Sequence, residues 1–245
     1  MQGITAYFGA FNLIAKLGLW KYFGIPILIS MVIGISIATS AYFFSDNLGT
    51  LIAKIWPWQW GSETFATIST YIGGVCIIVL GLLLYKHIVM ALSAPFMSPV
   101  SEKIEAHLLG DTNHNHRQTS FTEQLIRGIR INVRNLLKEL LFMIPLLILS
   151  FIPLVGIVAT VLIFLIQAYY AGFGNMDYTM ERHFKYKESI LFVKKNRGVA
   201  IGNGIVFVAM LFIPIIGFMI TLPLSVVAAS KETVKILKEK QLIEA

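Results

Sequence analysis

The chain has 245 residues, of which 56% are hydrophobic and 13% charged, with a formal net charge of +7 and a mean hydropathy of +0.74. Soluble domains carry about 25% charged residues, so the composition excludes an ordinary soluble domain of this size and points to an integral membrane protein. The single cysteine, Cys76, lies in an apolar run, which excludes a disulfide framework and a cysteine metal site. The basic surplus has no aromatic-interleaved patch or recognition motif of a nucleic-acid binder.

Residues 1–24 are expected to form an interfacial helix carrying Phe8, Phe11, Leu13, Ile14 and Leu17. It runs into an aromatic and basic collar, Gly18-Leu19-Trp20-Lys21-Tyr22-Phe23-Gly24, of the kind found at a membrane boundary. Residues 25–44 follow as a first span, about twenty residues and enough for roughly 30 Å of hydrocarbon. This run is too long for a signal-peptide core and is expected to be retained. Residues 45–64 read as an outside loop whose Trp56-Pro57-Trp58-Gln59-Trp60 cluster suits an interfacial belt. Residues 65–92 make a second span of about 42 Å at about 1.5 Å per residue, longer than the hydrocarbon, so it tilts or projects. Within it Gly73, Gly74 and Gly81 allow close approach of another helix.

Residues 93–139 read as a cytoplasmic helical segment. Ser98-Pro99 has the form of a helix start, with serine as cap and proline at the first helical position. A polar loop at 107–118 holds Asp111, His114 and His116, a spacing too nonspecific to outweigh a solvated loop. Ser120-Phe121-Thr122-Glu123 fits a capping box. The helix it opens places Arg127, Arg130, Arg134 and Lys138 on one stripe and Leu125, Ile129, Val133, Leu136 and Leu140 on another, as in a basic helix lying on a membrane.

Two uncharged stretches then share one design. Residues 140–173 contain Phe151-Ile152-Pro153-Leu154-Val155-Gly156, and residues 199–230 contain Phe212-Ile213-Pro214-Ile215-Ile216-Gly217. Proline breaks the helix and glycine permits the turn, so each stretch is a helical hairpin with its tip at Pro153 and Gly156 or at Pro214 and Gly217. The first arm of hairpin two, about fourteen residues, covers about 21 Å, short of the hydrocarbon, so this hairpin is expected to be re-entrant. Hairpin one, with a longer second arm, fits either penetration or crossing. A basic segment at 174–198 separates the hairpins, and a mixed-charge tail at 231–245 follows. Re-entrant backbone survives at membrane depth only when buried in protein or lining a water-filled cavity, so the pair implies a pore, an oligomer interface or both.

The basic residues fall on one side of this scheme. Lys16 and Lys21 precede the first span, seven Lys/Arg lie in 86–139, six in 182–197 and four after 230, with only Lys54 between the spans. The positive-inside rule then puts both termini in the cytoplasm. Arg127, Arg130, Arg134, Lys194, Lys195 and Arg197 are candidates for a cytoplasmic vestibule that concentrates anions, or for contacts to anionic lipid headgroups. No charged side chain lies deep in an apolar stretch, so a proton or sodium relay is not visible and passive permeation is expected. No catalytic motif or cofactor-binding loop is present, and no enzyme, cofactor or metal is expected.

The segments Ser93-Ala94-Pro95-Phe96-Met97-Ser98-Pro99-Val100-Ser101-Glu102, Asn175-Met176-Asp177-Tyr178-Thr179-Met180 and Leu222-Pro223-Leu224-Ser225-Val226-Val227-Ala228-Ala229, with Phe212-Ile213-Pro214, resemble the CysZ sulfate permease family of the wider etoposide-induced-protein superfamily. The resemblance implies two long transmembrane helices plus two half-penetrating hairpins, assembled as a homo-oligomer in a bacterial inner membrane among its lipids. The implied activity is uptake of sulfate or a similar oxyanion for cysteine synthesis; the alternative is a non-transporting scaffold or lipid-interacting protein of the same superfamily. The permeases carry a Gly-Leu-Arg sulfate-binding motif before the first span; here the matching positions are Gly18, Leu19 and Trp20, with Lys21 next. Lysine offers a point charge without arginine's bidentate fork, and Trp20 and Lys21 equally suit a membrane anchor.

Overall fold

The structure of the protein, a computed structural model, describes residues 2–110, 117, 119–213 and 216–242. Asp111, His114, His116 and the Pro214 tip therefore lie outside the described residues. Among the described residues the chain is all helical, with ten α-helices, one 3-10 turn and no strand. Among the described residues three helices are long and apolar enough to cross a membrane: Gly24–Ala53 (α3), Ser62–Leu92 (α4) and Val155–Met180 (α7). The chain divides into two compact units, residues 30–86 and the remainder.

The smaller unit is the paired length of α3 and α4. Glycines let the two backbones meet: a Cβ at Gly73 would sit 2.7 Å from the Ser45 carbonyl oxygen, and one at Gly49 would sit 2.5 Å from the Thr70 Cα. Close approach of this kind is how helices associate in lipid, where apolar burial gives no net drive. Both helices exceed the spans expected at 25–44 and 65–92, leaving only residues 54–61 between them. There Trp56 stacks on Phe65 at 4.8 Å, with Trp58 and Trp60 edge-on to it.

The larger unit opens with Gln2–Thr5 (α1), Ala10–Lys16 (α2) and a 3-10 turn over Leu19–Tyr22. The single helix expected over 1–24 is broken because Gly9 and Gly18 take left-handed backbone angles (φ 83° and 60°), which glycine adopts freely. Next comes Ala94–Leu109 (α5). Its start is Ser93, not Ser98: Pro95 occupies the first turn, and Pro99 lies inside the helix.

Phe121–Leu149 (α6) carries the expected capping box, with the Glu123 amide donating to Ser120 Oγ and the Ser120 amide to Glu123. It does not stop where the first hairpin was expected to begin, but continues as one helix through both segments. Its buried residues, Gly128, Ile131, Asn132, Asn135, Glu139 and Met143, are half polar, while Ile126, Ile129, Val133, Leu137, Leu141 and Ile148 are exposed along with Arg130 and Lys138.

The first tip differs from expectation in a telling detail. The residue that takes the left-handed angle is Leu154 (φ 68°), not Gly156. Gly156 lies inside α7, where a Cβ would strike the Ser150 carbonyl at the end of α6, and Gly217 meets Met210 in the same way. The glycine of each repeat therefore closes the hairpin by close approach instead of turning the chain. Phe151, Leu154 and Phe212 at the tips are 87%, 82% and 78% exposed.

α7 runs on past Gly172 and Gly174 to Met180, beyond the hairpin end expected at 173. Gly172 faces the Ala200 carbonyl of Arg197–Leu211 (α9), and Gly204 of α9 faces the Ala168 carbonyl of α7. Ala-x-x-x-Gly thus meets Ala-x-x-x-Gly across an antiparallel pair, the small-residue packing of membrane helices. Between them lies Tyr186–Lys195 (α8). The last helix, Ile216–Glu239 (α10), is continuous across the boundary expected at 230 and is buried on several sides, including Leu224, Val227, Thr233 and Leu237. Asn203 ties these helices together, accepting from Asn175 Nδ2 at 2.8 Å and donating to the Ser225 carbonyl, while the Tyr7 hydroxyl donates to the Asn203 carbonyl and Ser225 Oγ.

Candidate functional site

The left-handed Gly18 starts the 3-10 turn and orients the three residues that follow. Leu19 is fully buried and pins the turn, which leaves Trp20 (53% exposed) and Lys21 facing outward. Lys21 Nζ lies 5.4 Å from the Tyr22 ring centre, and Lys103 Nζ, from α5, lies 5.7 Å from the same ring. Neither lysine takes part in an ion pair among the described residues. Two exposed ammonium groups near one ring form a small positive patch. Lys103 is not apparent from sequence, because the contact joins residues some eighty positions apart and carries no local motif.

Behind this patch, charged side chains are buried and paired. Arg182 donates to Glu105 Oε2 at 2.7 Å, to Ser101 Oγ at 2.8 Å and to the carbonyls of Ser98 and Tyr178. His183 Nε2 lies 2.6 Å from the other Glu105 oxygen. Burial pushes the Glu105 carboxyl up, but the His183 bond and the Arg182 charge outweigh it and hold it at about 2. Arg127 makes a two-pronged pair with Asp177 at 2.9 and 3.0 Å and also donates to Ser189 Oγ and the Phe184 carbonyl. Burial opposes its charge, yet Asp177 wins and raises its pKa. Deeper still, His87 Nε2 lies 3.0 Å from Glu139, a buried pair at the edge of the uncharged stretch that sequence patterning does not reveal.

Glu181 behaves oppositely to Glu105. Burial and the neighbouring Asp177 push it up to about 7 against the Ser98 hydroxyl and the charges of Arg182 and Arg127. A folded pKa above the unfolded value near 4.3 means the protonated form favours the fold, so stability falls as pH rises from about 4.3 through 7. Glu181→Gln is expected to remove that slope, leaving melting temperature flat between pH 5 and 8; thermal unfolding in detergent across that range is the check.

The six basic residues proposed from sequence are distributed over more than one site. Arg127 is consumed by Asp177, and Arg130 lies over the Tyr186 ring at 4.1 Å. With Arg117 and Lys185 these two line a cavity of about 380 Å3. Arg134 packs against Phe173 at 5.2 Å. Lys194 and Arg197 border a different cavity with Tyr169 and Tyr170, and Lys195 is exposed. Pro153 lies in the exposed first tip, while Gly156 and Gly217 sit against preceding helix ends.

The family described as Sulfate transporter CysZ/Etoposide-induced protein 2.4 matches residues 6–221. The chain belongs to this family. The match spans the Gly18 turn, Lys103, the buried ion pairs and all of hairpin one. Among relatives, a protein named Sulfate transporter CysZ from Pectobacterium atrosepticum is 26% identical over 189 residues, covering 74% of this chain and 66% of its own length. Another of that name from Pseudomonas syringae pv. tomato is 31% identical over 142 residues, covering 57% of this chain and 55% of its own length. The matches therefore span less than two thirds of these relatives. The Trp20 ring packs edge-on to Phe23 at 5.7 Å.

Proposed function

We propose that the chain is a bacterial inner-membrane permease that passes sulfate or a similar oxyanion passively, supplying sulfur for cysteine synthesis and working as a homo-oligomer with both termini cytoplasmic. The observation that carries this reading is the pair of exposed ammonium groups, Lys21 and Lys103, over Tyr22, with Lys21 next to the position at which the resemblance puts the motif arginine. Two cations on separate elements together bring two positive charges to a dianion, where a single guanidinium would bring one. Passive passage is supported by the absence of Asp, Glu, Lys, Arg or His in 140–173 and 199–230, since coupled carriers use such groups within the membrane. The bare, aromatic tips at Phe151 and Phe212 support immersion of both hairpins in lipid, where α3 and α4 are the full spans and hairpin two stops part-way.

Sulfate flux into proteoliposomes of the pure protein tests the proposal. The wild type is expected to exceed empty vesicles, and Lys21→Ala with Lys103→Ala to lower flux about tenfold while flattening its dependence on ionic strength. Both side chains are exposed, so melting temperature is expected to stay unchanged. Flux equal to that of empty vesicles would favour the scaffold or lipid-interacting alternative, which the exposed Trp20 in place of arginine supports.

A further inference from the structure

We propose that the groove bounded by α6, α7 and α9 is a binding site for one anionic phospholipid. The cavity is about 500 Å3 and is chemically divided along its length. One end is formed by Phe142, Leu162, Leu165 and Ile166; the other by Lys194, Arg197 and the tyrosines 169 and 170. On α7, Leu162 and Tyr169 are seven positions apart, which is about 10 Å along the axis. The α9 side runs the opposite way, with Arg197 at the mouth and Ile201 one turn inward. Helix geometry thus places cations and phenol groups at one height and a dry wall about 10 Å below, the dimensions of a phosphate diester and the start of its acyl chain.

Charge selects the headgroup. No acidic residue lines the groove, and neither Lys194 nor Arg197 is in an ion pair among the described residues. Arg134 adds a third cation nearby, held against Phe173 and donating to Asn135 Oδ1 at 2.9 Å. A soluble anion would meet the cations but leave the apolar wall uncovered, and a zwitterionic lipid would cover the wall but bring its own cation to the mouth. Only an amphiphile with net negative charge satisfies both ends. Basic pockets between membrane helices on the cytoplasmic side bind such headgroups. The site needs no sulfate passage and is tested without it.

The full chain in neutral detergent is titrated with phosphatidylglycerol, phosphatidylcholine or inorganic phosphate, reading melting temperature and, by native mass spectrometry, retained lipid. The expected result is a rise in melting temperature and one tightly retained lipid with phosphatidylglycerol only. Lys194→Gln and Arg197→Gln, both at exposed positions, are each expected to weaken retention roughly fivefold, whereas Lys187→Gln, away from the groove, is expected to behave as wild type. Leu165→Trp, which fills the apolar end, is expected to abolish retention without touching a charge. Equal stabilisation by phosphatidylcholine, equal stabilisation by inorganic phosphate, or unchanged retention in both the cation and the Leu165→Trp variants would each overturn the proposal.

Discussion

Arg182→Ala is expected to cost about 3–5 kcal/mol of stability, the usual result of removing one partner of a buried ion pair. The arginine is only 5% exposed, and its loss leaves Glu105, itself 3% exposed, with His183 as its remaining close side-chain partner. It also removes the donor to two carbonyls and the Ser101 hydroxyl. Arg182→Lys is expected to recover little, because one ammonium cannot reproduce a planar fork that reaches a carboxylate and two carbonyls together. Glu105→Leu with Arg182→Met, by contrast, is expected to cost less than Arg182→Ala alone, since no buried carboxylate is left without its arginine. Thermal unfolding of the four proteins decides it; a loss below about 1 kcal/mol for Arg182→Ala would show that the pair is idle. The pH dependence gives a second check. The Glu105 carboxyl at about 2 lies below its unfolded value, so its contribution, about 3 kcal/mol, is present above pH 4.3 and lost as pH falls toward 2. In Arg182→Ala this acid limb moves to higher pH. The functional consequence is positional: Glu105 is two residues beyond Lys103 on α5, so the buried pair fixes the helix that brings the second lysine to Tyr22.

The residues that made the membrane fold legible were those whose signal is local. The uncharged stretches, the repeated Phe-Ile-Pro phrase and the Ser120 capping box each depend on neighbours within one or two turns, and the structure has helices and breaks there. Helix ends were less legible. Gly172 and Gly174 look like a stop, but α7 continues because its glycines meet other helices, the Ala200 carbonyl and the Met90 side chain. Sequence shows that a glycine is present without showing whether it serves φ or proximity. The same ambiguity hid the first tip, where Leu154 takes the unfavourable angle and Gly156 makes the contact. A leucine held at positive φ costs roughly 1–3 kcal/mol.

The polar site was harder to read than the fold. Amphipathic reasoning on α6 assigned Arg127 to an outer face, whereas Asp177, fifty residues away, draws it inward. Lys103 and Glu105 lie among ordinary helix charges, and only the meeting of α5 with the 3-10 turn and the end of α7 gives them roles. A buried acid on an otherwise apolar helix, such as Asp177 in Asn175-Met176-Asp177-Tyr178, was the one available sign that a cation had to be nearby.

Gly172→Val and Gly204→Val are each expected to destabilise the protein by at least about 3 kcal/mol, at or beyond the upper end of ordinary overpacking. A Cβ at either position would collide with a backbone carbonyl, Ala200 for Gly172 and Ala168 for Gly204. A flexible side chain can move aside; a helical carbonyl cannot without parting the two helices. Separation of α7 from α9 would also pull Asn175 from Asn203, costing the buried Asn175 amide its hydrogen bond to the Asn203 oxygen. Even Gly172→Ala is therefore expected to be strongly destabilising, although alanine is the better helix former by about 1 kcal/mol. Gly198 supplies the internal control: it is on the same helix as Gly204, and nothing lies within 4 Å of a Cβ built there. Gly198→Ala should leave stability unchanged or raise it by up to about 1 kcal/mol. Detergent melting curves for these variants separate the two uses of glycine, since propensity alone predicts the same sign for all alanine changes and close backbone approach predicts opposite signs. If Gly172→Ala melted at or above the wild type, the Ala-x-x-x-Gly contact would not be what joins the hairpins.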